Sequence, residues 1–84
     1  MAAATTVNWE RAARAQMHPT QVKILDVLRE TGECSPSRAA EELDIRLGNV
    51  SYHFRELAKS GLICETRTAP ARGALEHFYS LASS

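Results

Sequence analysis

Apolar residues recur first at helical spacing and then, beyond residue 61, at alternating spacing. Val22, Leu25 and Leu28, with Ile24 and Val27, form a broad stripe that predicts a helix over 19–31. His18-Pro19 marks its start, because a proline in the first turn lacks only an N–H that had no partner there. Gly32 marks its end. Ser35-Pro36 repeats the start signal, a hydroxyl cap followed by proline. The short helix predicted over 36–43 turns Ala39, Ala40 and Leu43 inward and Glu41, Glu42 and Asp44 outward. Asp44-Ile45-Arg46 makes a turn, and a further helix spans 47–60, closed by Gly61. Upstream, Asn8 caps a short first helix running to about Met17, with Trp9, Ala12, Ala13 and Gln16/Met17 on one side. An Ala-rich face lets helices approach closely, so this one is expected to pack on something. Residues 1–7 show no periodicity and read as a frayed, disordered tail.

After Gly61 the chain changes period. Leu62 to Arg67 reads as a strand, and Thr68 to Gly73, with Pro70 and Gly73, reads as a loop. Leu75 to Leu81 reads as a second strand, with Leu75, His77, Tyr79 and Leu81 on one face and Glu76, Phe78 and Ser80 on the other. Two helices joined by a three- or four-residue turn, the second longer and more basic, signal a helix-turn-helix. A hairpin directly afterwards makes it winged. The expected fold is α+β, mostly α: a winged helix-turn-helix, one domain over 8–84.

The helix over 47–60 carries the candidate chemistry. On an ideal wheel, Leu57, Val50, Phe54, Leu47 and Ala58 share an apolar arc of roughly 100° that predicts the core face. Ser51, Arg55, Gly48, Lys59 and Tyr52 occupy the neighbouring arc. In a recognition helix the N-terminal half reaches base edges in the major groove. Gly48 permits close backbone approach there, at about 1 kcal/mol of helix stability. Asn49, Ser51 and Tyr52 can hydrogen-bond bases or phosphates. Arg55 can chelate a guanine edge, and Lys59 is placed for phosphate. Taken alone, such a face is ordinary solvated surface. Arg67, Thr68 and Arg72, expected on or beside the hairpin tip, tip the balance, since a basic loop beside a basic helix face suits a duplex backbone.

Charge supports that reading only through its distribution. The 84 residues have net charge zero, are 44% hydrophobic and 24% charged, and the pI is 6.8. Nucleic-acid binders are usually basic, but residues 46–74 hold five basic residues against two acids, while residues 1–45 hold five against seven. The acidic first half and zero total favour an alternative, a winged helix used as a protein-interaction module. A chain this short has a small core and gains from a partner subunit. No apolar run approaches the ~18 residues of a membrane span, and the N-terminus lacks the pattern of a signal peptide. The expected location is the cytoplasm.

Little else suggests chemistry. His53 sits at the edge of the apolar arc and reads as a half-buried packing residue. His77 reads as packing beside Tyr79, and His18 as a helix-start residue. Cys34 and Cys64, thirty positions apart, read as two reduced thiols, one in a turn and one in a strand. No pair among these residues has ligand spacing. No nucleophile-base pattern and no phosphate loop is present, so neither an enzyme, a cofactor nor a metal site is expected.

The segments "HPTQVKILDVL", "SPSRAAEEL", "NVSYHFREL", "SGLI" and "RGALEHFYSL" resemble successive segments of the ArsR-type winged-helix transcription regulators, over about residues 16–81. The resemblance implies that Ser51, Tyr52 and Arg55 face DNA and that Val50, His53, Phe54 and Leu57 pack. It also implies a homodimer and, in most members, repression relieved by an effector. Three features depart from the family pattern. The CxC of metal-sensing members is absent, with Cys34 followed by Ser35 and Pro36. Arg46 stands where a small capping residue is usual, and Leu47 and Gly48 stand where polar residues are usual. The sequence stops just after the wing, so the expected dimer forms without a C-terminal helix, through the face of Trp9, Ala13 and Met17. The function expected is a sequence-specific regulator, acting as a repressor dimer on double-stranded DNA, with recognition helices about 34 Å apart.

Overall fold

A computed structural model describes residues 17–82. Three helices, α1 (Pro19–Thr31), α2 (Pro36–Leu43) and α3 (Leu47–Lys59), precede two antiparallel strands, β1 (Ile63–Ala71) and β2 (Ala74–Leu81). The predicted helix over 8–17, with Trp9 and Ala13, lies outside the described residues, as does the tail over 1–7.

The start and stop signals act as physics requires. His18 Nδ1 accepts the N–H of Thr20 at 3.1 Å, capping α1. Ser35 Oγ accepts the N–H of Arg38 at 3.3 Å, capping α2. Gly32 ends α1 at φ 81°, its N–H reaching the Leu28 carbonyl at 2.8 Å. Asp44 ends α2 in the left-handed region at φ 56°, which Asp tolerates better than most residues. Ile24 and Leu28 from α1, Ala39 from α2, Val50, Phe54 and Leu57 from α3 and Ile63 from β1 are buried together. The Tyr79 ring closes this core edge-on against Phe54, centroids 5.3 Å apart. Each helix contributes one stripe, and the three stripes meet only because the short turns force the helices to cross.

Four expectations need correction. First, α3 ends at Lys59 rather than Ser60, which caps it. Leu47 is not in the core: it is 51% exposed. Helical side chains lean toward the N-terminus, so a residue in the first turn overhangs the end of the core instead of entering it.

Second, the residues expected as a loop over 68–73 are mostly strand. β1 starts one residue late, at Ile63, and continues through Thr68 and Pro70 to Ala71, paired with Ala74. The turn is only Arg72-Gly73, at φ 50° and 82°. Two consecutive left-handed residues make the turn type whose twist matches a hairpin. Pro70 is tolerated because both strands of a two-stranded ribbon are edges.

Third, Arg67 is not at the tip. A bulge at Thr66, between the pairs Glu65–Tyr79 and Arg67–Phe78, sets it partway down the hairpin.

Fourth, the two faces of β2 are not simply inside and outside. Phe78 is buried, whereas His77 and Leu75 are exposed. At its base the hairpin is covered on both sides. Tyr79 meets Phe54 on one, and Arg38 and Arg67 lie over Phe78 on the other. Farther out, the wing leaves the body, and alternation no longer decides burial. Cys34 joins the base through a bridge, its N–H to the Tyr79 carbonyl at 3.0 Å and its carbonyl accepting the Tyr79 N–H at 2.8 Å. The whole arrangement is a winged helix-turn-helix.

Candidate nucleic-acid interface

The outer face of α3 is where the sequence places it. Gly48, Asn49, Tyr52, Arg55 and Lys59 are exposed, and Ser51 is half-buried. Val50, His53, Phe54 and Leu57 are buried on the opposite side. His53 packs, as expected: Gln21 Nε2 donates to its Nδ1 at 3.1 Å, and its ring lies 4.4 Å from that of His18. Burial, and then the neighbouring His18, hold the His53 pKa below the usual histidine range.

The cations are not equivalent. Lys59 stands 3.6 Å from Glu56, an exposed pair worth little. Arg67 is committed to the fold. Its guanidinium lies 3.9 Å from the Phe78 ring centroid, and its Nε donates to Glu33 Oε1 at 3.0 Å. Arg55 and Arg72 make no ion pair with any described residue. Arg72 holds the wing tip at positive φ, a conformation costing a non-glycine residue about 1–2 kcal/mol. Arg46, exposed, precedes α3 and gives it no side-chain cap. The first N–H groups of α3 therefore stay open to an incoming acceptor.

Two carboxylates brace the wing, and spacing along the sequence points to neither. Glu33, between α1 and α2, accepts from Thr66 Oγ1 at 2.7 Å as well as from Arg67. Glu76, on β2, accepts from Ser35, from Ser37 Oγ at 3.2 Å and from Arg38 Nε at 3.2 Å. These bonds hold both carboxyls below the usual range, led by Thr66 for Glu33 and by Ser35 for Glu76. His77, expected to pack, instead donates to Glu65 Oε2 at 2.8 Å on the wing surface.

Between α3 and the wing lies a crevice of about 290 Å³, lined by Leu47, Ser51 and Arg55 on one side and Leu75 and His77 on the other. Its leucines carry no signal in the sequence, because an apolar residue at helical spacing (Leu47) or on one face of a strand (Leu75) reads as core. Cys34 is buried and Cys64 exposed, both free. Burial raises the Cys34 thiol pKa, which makes that sulfur a poor nucleophile. Among the described residues no group of three or more His, Cys, Asp or Glu could hold a metal ion. Met17, expected at a subunit contact, packs against the core of its own chain.

Comparison with known proteins gives the same architecture. Residues 17–65 match the helix-turn-helix domain family. The YusO protein from Bacillus subtilis superposes with a TM-score of 0.70 at 24% identity, over 86% of this chain and 50% of that one. This chain thus spans half the length of YusO. Reduced HlyU from Vibrio cholerae gives 0.68 at 21% identity, over 95% of this chain and 78% of that one. The homodimeric winged helix-turn-helix DNA-binding domain of Mb0332 from Mycobacterium bovis, a possible ArsR-family transcriptional regulator, gives 0.66 at 23% identity, over 96% and 69%. No curated protein matches the sequence.

Proposed function

The chain belongs to the helix-turn-helix domain family, a family of DNA-binding transcription regulators, and from that premise we propose that it binds double-stranded DNA sequence-specifically through α3 and the wing. Gly48, Asn49, Ser51, Tyr52 and Arg55 enter the major groove. Arg72 reaches the backbone beside it, and Lys59 meets phosphate at the far end of the helix. Arg67 acts differently from the other cations: it holds the wing at its working angle.

One observation carries this reading. Arg55, on the α3 wall of the crevice, and Arg72, at the wing tip, are left without ion pairs among the described residues, while Arg38 and Arg67 are neutralised. A surface that pairs its structural cations and leaves these two open fits a polyanion. The positive φ at Arg72 points the same way, since glycine or asparagine would suit that turn better.

The working unit in this reading is a dimer that represses by occupying a promoter in the cytoplasm. A contact through the face of Trp9, Ala13 and Met17 would build it. The homodimeric Mb0332 domain supports this by likeness of fold. No described helix is long and apolar enough to cross a membrane. The reading includes no catalytic step.

Fluorescence anisotropy with a random duplex, at low and then moderate salt, tests it. Binding that weakens steeply with salt supports DNA. No binding at low salt favours the protein-interaction module, to which the zero net charge lends weight.

A further inference from the structure

An exposed leucine by itself needs no explanation, but the surroundings of Leu47 are specific. It stands in the first turn of α3 and is 51% exposed. The next residue, Gly48, lies in regular helix, and a Cβ placed there would meet nothing within 4 Å. The fold therefore does not require a glycine at 48, and an alanine would serve the helix better. Ser51 follows one turn later and Arg55 one turn after that, along the same wall of the crevice. An apolar side chain, a bare stretch of backbone, a hydroxyl and an unpaired guanidinium thus run in line down the helix from its entering end.

In the major groove, base pairs present donors, acceptors and one apolar group, the C5-methyl of thymine. We propose that Leu47 is a specificity-determining residue that reads a thymine methyl, an inference that rests on the DNA-binding reading above. The helix end supports it. Residues at the start of a recognition helix meet base edges rather than backbone, and Gly48 removes the side chain that would hold the backbone away. Cytosine, with an amino donor that a leucine cannot accept, is rejected by the unmet hydrogen bond. Leu75, across the crevice, is 61% exposed, but it stands on the wing and not at the start of the recognition helix, where base edges are met. A protein partner fits less well, because Ser51, Arg55 and His77 interrupt the two leucines.

The experiment replaces each thymine of a duplex selected from a random pool with deoxyuridine, which differs only by the methyl group. For the parent chain, one thymine position in the contacted site weakens binding about fourfold on replacement, the effect of one methyl-sized apolar group. Leu47→Ala binds the thymine duplex more weakly and is indifferent to that replacement, whereas Leu47→Met and Leu75→Ala keep the sensitivity. Circular dichroism shows all three variants folded, as half-exposed positions allow. Leu47→Gln, which keeps length and loses apolarity, behaves as Leu47→Ala does. Equal affinity for thymine and deoxyuridine at every position overturns the assignment of Leu47 while the DNA reading stands. Methyl sensitivity that survives in Leu47→Ala, or that is lost in Leu75→Ala, overturns it as well. Failure to bind any duplex overturns both readings.

Discussion

Arg38 Nε lies 3.2 Å from Glu76 Oε2, and the Arg38 guanidinium carbon also sits 5.3 Å from the Phe78 ring centroid. One α2 residue therefore grips β2 at two positions, on the side of the hairpin away from Tyr79. The carboxylate is held at the N-terminus of α2, where a negative charge is favoured by the helix dipole. The wing angle is in this way tied to the helix that precedes the recognition helix.

Glu76→Gln tests that tie. Hydrogen bonds from Ser35, Arg38 and Ser37 depress the carboxyl pKa in the folded chain. A depressed carboxyl stabilises the fold above its unfolded value, near pH 4.3, and the contribution disappears as pH falls through the folded value. Thermal melts of parent and variant are expected to differ at neutral pH and to converge in acid. A constant difference across that range would show that the charge has no part in the contact.

His53 gives a second pH window with a different cause. Its neutral Nδ1 accepts from Gln21, and burial beside His18 opposes a proton there. The unfolded chain takes that proton near pH 6.5, so stability present above this value is lost as pH falls below it. His53→Gln removes the titrating group. Its melting temperature is expected to vary less than the parent's between about pH 7 and about pH 5. Equal slopes would place the titration elsewhere.

Gly48 separates stability from binding. Gly48→Ala adds a Cβ into open space on a regular helix, so it stabilises the fold by up to about 1 kcal/mol. The same Cβ lies where α3 meets the groove, so duplex affinity falls. Chemical denaturation and anisotropy on one preparation read both effects. A variant that is more stable and binds as well as the parent would show that the backbone at Gly48 does not approach the ligand.

The helices were legible because their signals are local. The proline and cap at the starts of α1 and α2, the glycine or Asp44 at each end and the apolar stripe all lie within a few residues of the structure they specify. The polar face of α3 followed from the same projection. Leu47 was misread because the projection gives an angle and no height, and burial at a helix end depends on height. The wing was misread at three points for want of long-range information. Arg72-Gly73 is a two-residue turn hidden by Pro70. The bulge at Thr66 shifts the register. Phe78 is covered by Arg67 from the facing strand and by Arg38, forty positions away. Glu33 and Glu76 carry no local signal for their partners, so Arg67 could be seen as a cation but not as one already neutralised.

The central claim is that α3 and the wing tip together form a DNA surface, and affinity across a duplex panel at several salt concentrations tests it most directly. Arg55→Ala removes an unpaired guanidinium from the groove side of α3 and is expected to cost about 1–3 kcal/mol with relaxed preference at one base pair. Arg72→Asn suits the positive φ of the turn and removes only the charge, so it weakens all duplexes alike and reduces the log–log salt slope by about one. Leu57→Ala, which opens a cavity in the core at a cost of about 2–5 kcal/mol, loses folding and binding together and marks what misfolding looks like. The account predicts two folded variants with different signatures, one in sequence preference and one in salt dependence. If Arg55→Ala and Arg72→Asn both stay folded and bind like the parent, the surface between α3 and the wing is not the DNA surface.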